Sequence, residues 1–280
     1  MSLMNARLKR RTASLSAEAA LLIAVVVTLL PILWLVWSSL KLAKDITNLD
    51  GLAAPTLANY ASLFGSRFPG MIINSLGVVV FTTVLCVVVG SLAAYSLSRF
   101  RWPKVVTAAV LGTALAVQLV PPAALVPAYY QLLSAIGLVD TVAGLVLVNT
   151  VFNLPFAVFL LKVYFDGVPN ALKDAALVDG CTGGGAFRRL MLPIAAPGVA
   201  AVTILVSVLA WNDFLMALSL TLTPESQTVT VGIANYMQDY SIQYGEMTAS
   251  ATLATVPLVI LAAVAHRYIV TGLTGGALKE

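Results

Sequence analysis

Long apolar runs separated by short polar stretches set the layout of this chain. Runs near the ~20 residues that a helix needs to cross a bilayer occur at about 17 to 38, 71 to 97, 104 to 130, 141 to 162, 197 to 217 and 247 to 270. Six transmembrane helices are therefore predicted, in an all-α membrane protein, because a chain in lipid must pair its own backbone polar groups. The first run follows a basic stretch, as the core of a secretory signal would. It continues through Trp34 and Trp37, beyond the ~7 to 15 residues of such a core, and no small-residue cleavage pattern closes it, so it is expected to remain as a span. One interval, 166 to 193, breaks the pattern with a polar insert of two short helical segments.

Composition agrees with this reading. The chain is 60% hydrophobic and 10% charged, with a mean hydropathy of +0.95, well above the ~45–50% apolar share of a soluble domain. Charge then supplies orientation, since cytoplasmic flanks retain Lys and Arg. With the N-terminus inside, thirteen of the sixteen basic residues fall on the cytoplasmic side: Arg7, Lys9, Arg10, Arg11, Arg99, Arg101, Lys104, Lys162, Lys173, Arg188, Arg189, Arg267 and Lys279. Only Lys41, Lys44 and Arg67 lie outside. Both termini are thus predicted to be cytoplasmic, with an N-terminal segment at 1–16, a membrane domain at 17–270 and a tail at 271–280. The net charge of +4 is used in setting topology, which leaves no case for a nucleic-acid partner. Cys86 and Cys181 fall on incompatible sides of this layout, so no disulfide is implied.

The insert at 166 to 193 is placed in the cytoplasm by the same argument. Pro169 can open a helix, where its missing N–H costs nothing. Ala171, Leu172, Ala175 and Ala176 then share a face whose small residues permit close backbone approach. Gly180 supplies a turn, and a second segment aligns Phe187, Leu190 and Met191, with Arg188 and Arg189 free and Pro193 and Pro197 ending it. By pattern alone this is equally a docking surface or an amphipathic connector lying on the membrane.

Polar residues inside the spans carry the remaining chemistry. Gln118, Pro121, Pro122 and Pro127 interrupt the third span, either as a packing kink or because a broken helix lines a pathway. Asn149 and Asn153 share a face of the fourth span before Pro155, which suits interhelical hydrogen bonds or an inward polar face. Gly90 and Ala94 read as a packing pair. Trp211-Asn212-Asp213-Phe214 closes the fifth span, as a headgroup-level anchor or as a functional intramembrane carboxylate. Tyr236, Tyr240 and Tyr244 are spaced by four, as an aromatic stripe on one helical face would be. His266 beside Arg267 reads as a snorkelling interface pair. No GxxxxGK[ST] loop is present: Gly183-Gly184-Gly185 lacks the Lys-Ser/Thr that holds phosphate. ATP hydrolysis is therefore not expected in this chain.

The stretch Asp174-Ala175-Ala176, Asp179-Gly180, Leu190, Leu192-Pro193 resembles the EAA loop of ABC-importer permease subunits, with Asp for the leading Glu and Leu for the usual Ile. Trp211 to Phe214 is similar to a segment common in the carbohydrate branch, and the tail resembles that of the maltose-type second permease. The resemblance implies the type I ABC importer permease fold, in the cytoplasmic (inner) cell membrane, without enzymatic activity. Asp174, Ala175, Ala176, Asp179, Gly180, Phe187, Leu190 and Pro193 would couple to the ATPase. Gly272, Leu273, Thr274 and Gly275 in the tail would also contact it, unless the Gly-rich end frays. Gln118, Asn153, Asn212 and Asp213 would border the translocation path. Gly232, Asn235, Tyr236 and Gln238 would meet a sugar-loaded binding protein. The implied partners are a second homologous permease, two ATP-binding subunits that hold ATP and Mg, and an extracytoplasmic sugar-binding protein or lipoprotein. No cofactor is expected here, and the sugar is open among maltose, trehalose, another oligosaccharide and glycerol-phosphate compounds. A self-sufficient secondary transporter is the alternative.

Overall fold

The computed structural model describes residues 2–47, 54–238 and 241–277. In chain order it contains α1 (Ser2–Ser39), α2 (Ala43–Thr47), α3 (Ala58–Phe64), α4 (Phe68–Arg99), α5 (Lys104–Leu119), α6 (Pro122–Ala135), α7 (Val142–Asp166), α8 (Asn170–Val178) and α9 (Gly183–Ala186). A π-helical turn (Phe187–Met191), α10 (Leu192–Ile194), α11 (Ala196–Trp211), α12 (Leu215–Leu220), α13 (Val229–Ala234), a hairpin of β1 (Met237–Gln238) with β2 (Ser241–Ile242), and α14 (Tyr244–Ala277) follow.

Among the described residues, four helices are long and apolar enough to cross a membrane alone: Ala17–Ser39, Phe68–Arg99, Val142–Asp166 and Tyr244–Ala265. Two bent pairs bring the number to six. The third predicted span is one of them, and it is not a continuous helix: α5 and α6 meet at 105°. A residue before proline is driven out of the helical region, and here two successive residues are, with Val120 at ψ 123 and Pro121 at ψ 127. The other pair bends by 76° between Gly183–Ile194 and Ala196–Trp211. Pro193 and Pro197 were expected to end the second segment of the insert. The segment does end between them, with the bend at Ala195: Pro193 lies in the last turn of the continuous run Gly183–Ile194, and Pro197 sits in the first turn of α11, where proline is tolerated.

The chain divides into two compact units. The first comprises Met1–Ser66 and Tyr236–Leu253. Within it, Asn59 Nδ2 donates to the carbonyls of Ser39 and Lys41, both at 2.8 Å, and Ser39 Oγ and Tyr60 Oη are 2.6 Å apart. A side chain at Gly245 would meet Asn59 Oδ1 at 2.5 Å, so only glycine fits that contact.

The second unit, Arg67–Asn235 with Ala254–Glu280, holds the bundle core. Lipid is as apolar as leucine, so its helices associate through close packing and shared hydrogen bonds. At the α4–α7 contact a side chain on Gly90 would come within 3.3 Å of Leu161 and 3.6 Å of Ala157. Gly198 in α11 lies under the Tyr164 ring, 2.2 Å from where its Cβ would stand. One apolar cluster gathers Cys86, Tyr95, Ala157, Leu161, Phe165, Met191 and Val206. Another gathers Val78, Leu133, Leu145, Val148, Met216 and Leu220. Thr83 and Ser207 bridge α4 and α11 at 3.0 Å, a bond of the ~0.6 kcal/mol class typical between membrane helices.

Outside the spans, Asp140 ties the loop before α7 to the loop after α12. It adopts φ 61, a conformation that Asp tolerates better than most residues. Its carboxylate accepts from Leu222 N at 2.7 Å, Thr223 N at 2.9 Å and Thr223 Oγ1 at 2.8 Å, and also from Ser226 Oγ. Partial burial raises its pKa, but these donors outweigh it and bring the group down to about 2. The folded value lies below the ~3.9 of an unfolded Asp, so the stabilisation is complete above that pH and is lost as the pH falls towards 2. Asp140→Ala is expected to cost ~1–2 kcal/mol near neutrality, after discounting for exposure. Thermal unfolding in detergent should show a lowered midpoint whose difference from wild type closes between about pH 4 and pH 2. A difference independent of pH would refute the latch.

Candidate functional site

The 166 to 193 insert is built as helix, turn, helix. Nothing on α8 is buried: Asp174, Ala175, Asp179 and Gly180 are exposed and Ala176 is half-buried. Among its apolar residues Val178 is 87% exposed, with Leu172 and Leu177 also open. The helix closes on a Schellman motif, in which Cys181 N donates to Ala176 O at 2.9 Å and Gly180 N to Leu177 O at 3.1 Å. That motif needs a left-handed residue, and Gly180 has φ 84. Thr182 then caps the next segment, its Oγ1 accepting from Gly185 N at 3.1 Å.

Beyond the turn, Phe187 and Met191 face inward as the spacing predicts, Leu190 is half-buried, and Arg188, Arg189 and Pro193 are exposed. Phe187 packs into an aromatic cluster with Tyr95 at 4.9 Å and Phe165 at 6.1 Å between centroids. The cluster joins the insert to α4 and α7. A second link is Arg99, read from sequence only as a topology-setting charge. It is buried and donates to Phe165 O, Val168 O (2.6 Å) and Asn170 Oδ1, while Lys173 Nζ returns a bond to Arg99 O at 3.1 Å. One guanidinium thus holds the end of α4, the end of α7 and the start of α8 together. Its partners, two main-chain carbonyls and the Asn170 side chain, lie some seventy residues away, which no local pattern announces.

A different group of polar residues meets inside the bundle. Gln118, Pro122, Phe152, Asn153, Leu209, Met216, Asn149 and Asp213 line one cavity of about 140 Å³. The break after α11 presents Asp213, whose Oδ1 accepts from Met216 N at 3.2 Å and whose Oδ2 accepts from Asn149 Nδ2 at 2.9 Å. Gln118 Nε2 donates to Phe152 O at 3.1 Å, and Asn153 Nδ2 to Asn149 O at 2.8 Å. Asn212 stays apart: it is exposed and bonds back to Val208 O at 2.8 Å. Trp211, offered as a headgroup anchor, is buried and donates to Ala254 O at 3.2 Å. Asn149, by contrast, is the residue that joins the fourth span to Asp213.

The residues set against a binding protein differ in their surroundings. Gly232 is buried in α13, where a side chain would meet Met71 Sδ at 2.4 Å. Asn235 is exposed and donates to Gln227 Oε1 at 2.8 Å. Tyr236 is half-buried and precedes the hairpin, in which Gln238 pairs with Ser241. The tyrosine stripe is therefore not one helical face: Tyr236 and Tyr244 stand on either side of the hairpin, and Tyr240 lies outside the described residues. Gly272 to Gly275 continue the backbone of α14 rather than forming an irregular tail.

Apolar helices, two of the spans broken, with polar side chains gathered inside the bundle and an exposed helix-turn-helix insert, define a multi-pass membrane permease. Residues 86–275 match the binding-protein-dependent transport system inner membrane component family, and the chain belongs to it. It is 40% identical over 257 residues to the trehalose transport system permease protein SugB of Mycobacterium tuberculosis (strain CDC 1551 / Oshkosh), across 90% of this chain and 92% of that one. It is 33% identical over 255 residues to the sulfoquinovosyl glycerol transport system permease protein SmoH of Agrobacterium fabrum (strain C58 / ATCC 33970), across 90% and 89%. Its fold matches a crystal structure of a bacterial ABC transporter involved in the import of the acidic polysaccharide alginate, with a TM-score of 0.79 and 18% identity over 92% of this chain and 96% of that one. The protein is accordingly a non-catalytic inner-membrane subunit with the ABC importer permease fold.

Proposed function

We propose that this chain forms half of the translocation pathway of an ATP-driven sugar importer, with a second homologous permease as the other half. Both termini and the 166–193 insert lie in the cytoplasm, where two ATP-binding subunits, holding ATP and Mg, dock on the insert. The observation that carries this is α8, a helix with no buried residue and with apolar Leu172, Leu177 and Val178 left open beside Asp174 and Asp179. Leu172, Leu177 and Val178 point in three directions around the helix, each ~100–140° from the next, and a helix left open with apolar side chains on every side calls for a partner. Closure of the ATPases would move α8, and the Arg99 clamp and the Tyr95–Phe165–Phe187 cluster would pass that motion to α4 and α7. A sugar-loaded extracytoplasmic binding protein would engage the segment after α13 from the other side. The trehalose and sulfoquinovosyl glycerol relatives support a glycoside as cargo, with a disaccharide such as trehalose or maltose as the reading to test.

Purification of the tagged chain with its co-expressed neighbours in mild detergent tests the assembly. The chain is expected to bring down two ATP-binding subunits and a second permease, and sugar-loaded binding protein should raise ATP hydrolysis by the complex severalfold. A chain that purifies alone and accumulates sugar on an ion gradient would be the secondary transporter instead.

A further inference from the structure

The polar cavity between α5, α7 and the break after α11 has an unusual balance of donors and acceptors. Each amide nitrogen in it is already used: Asn149 Nδ2 on Leu145 O (3.1 Å) and Asp213 Oδ2 (2.9 Å), Asn153 Nδ2 on Asn149 O (2.8 Å), and Gln118 Nε2 on Phe152 O (3.1 Å). The oxygens are not. Among the described residues Asn149 Oδ1, Asn153 Oδ1 and Gln118 Oε1 accept no hydrogen bond, and each Asp213 oxygen accepts one where a carboxylate oxygen has room for two. Phe152 is the aromatic residue of the lining. A larger cavity of about 590 Å³, between α4, α11 and α14, makes the contrast. Its polar groups are satisfied within the protein: Thr83 on Ser207, Thr203 on Val199 O, and Trp211 on Ala254 O.

A site of acceptors beside an aromatic ring selects a ligand that brings several O–H donors and one apolar face. A pyranose ring has both, with hydroxyl groups around its edge and C–H groups across its face. At about 140 Å³ the cavity is smaller than the ~300–1,000 Å³ pockets that engulf a whole ligand, so it suits the edge of one ring rather than a disaccharide. We propose that this permease carries its own hydroxyl-accepting subsite for a single pyranose ring, with Asp213, Asn153 and Gln118 receiving sugar hydroxyls against Phe152, and Asn149 positioning the Asp213 carboxylate. The proposal rests on the sugar-importer reading and adds that this subunit contacts the cargo directly.

The test uses the complete importer in proteoliposomes with its binding protein, and labelled trehalose and maltose as probes. Phe152→Leu removes the ring while keeping a bulky apolar side chain, and Asp213→Asn keeps volume and shape and retains an oxygen to cap Met216 N. Each is expected to lower uptake of the transported probe by about tenfold, equivalent to ~1.4 kcal/mol, while ATP hydrolysis stimulated by the loaded binding protein stays within about twofold of wild type. A diazirine-bearing trehalose should label the wild-type complex between residues 145 and 153 or between 209 and 216, and this labelling should fade in Phe152→Leu. Unchanged uptake in both variants, or uptake and ATP hydrolysis falling together as a packing defect would cause, would overturn the subsite. A wild-type complex whose ATP hydrolysis ignores the binding protein would overturn the importer reading itself.

Discussion

Replacing Gly180 with valine is expected to cut transport by the assembled importer roughly tenfold or more while leaving membrane insertion intact. The reason is conformational. A side chain at Gly180 would touch nothing within 4 Å in this chain, but its φ is 84, where a Cβ costs ~1–2 kcal/mol and a branched one more. The chain avoids that strain by abandoning the Schellman closure, which frays α8 and displaces the exposed face proposed to meet the ATPase. The comparison with Gly180→Asn separates two explanations, because asparagine is bulky yet visits left-handed geometry readily. If backbone strain decides, the order of damage in vesicle uptake is Asn, then Ala, then Val. If fit into the partner's cleft decides, Asn does more damage than Ala. Copurified ATPase per permease gives an independent readout of the same series.

Arg99→Met is expected to have the other large effect. Methionine fills similar space but removes the donor to Phe165 O, Val168 O and Asn170 Oδ1; Phe165 O keeps its bond from Val168 N and Asn170 is exposed, so the Val168 carbonyl bears the ~1–3 kcal/mol cost of a buried unsatisfied group. Arg99→Lys should rescue only part, since one ammonium cannot reproduce the planar fork that spans carbonyls from two elements. We expect Arg99→Met complexes to assemble poorly and, where assembled, to hydrolyse ATP with little response to loaded binding protein. Normal stimulation together with normal uptake would show that α8 needs no clamp. This outcome differs from that expected at the polar cavity, where ATP hydrolysis persists while uptake fails, so the two residues test opposite ends of the transmission.

The sequence was most readable where lipid leaves the chain little choice. α4 and α7 follow directly from apolar length, and Gly180 was recognisable as a turn because few residues other than glycine adopt its φ. Proline was ambiguous. Pro121 and Pro122 do break a span and the second segment of the insert ends beside Pro193, yet Pro197 opens a helix, where its missing N–H costs nothing, and Pro127 and Pro155 lie inside helices that continue past them. Tyr236 and Tyr244 have helical spacing, but a hairpin between them removes the shared face. Asp140 and Arg99 were missed as structural centres because their partners, backbone groups among them, are distant in sequence. In the polar cavity, Gln118, Asn153 and Asp213 were legible as polar residues in apolar runs. Asn149 was legible as an interhelical hydrogen-bonding or inward-facing amide but its partner Asp213 was not, and Asn212 adjoins the cavity in sequence without lining it.

The π-helical turn from Phe187 to Met191, where Leu192 N reaches back to Phe187 O, has a consequence for how the insert could be altered. An α-helix advances ~100° per residue, and a π turn inserts one residue into that count. Everything beyond Met191, including the entry into α11, is therefore rotated by about a quarter turn relative to an uninterrupted helix. The interval from Gly180 to Pro193 thus acts as an angular setting. Losing or gaining a single residue there would leave every named contact residue in the chain and still aim α11 in the wrong direction, so the number of residues matters here as much as their identity.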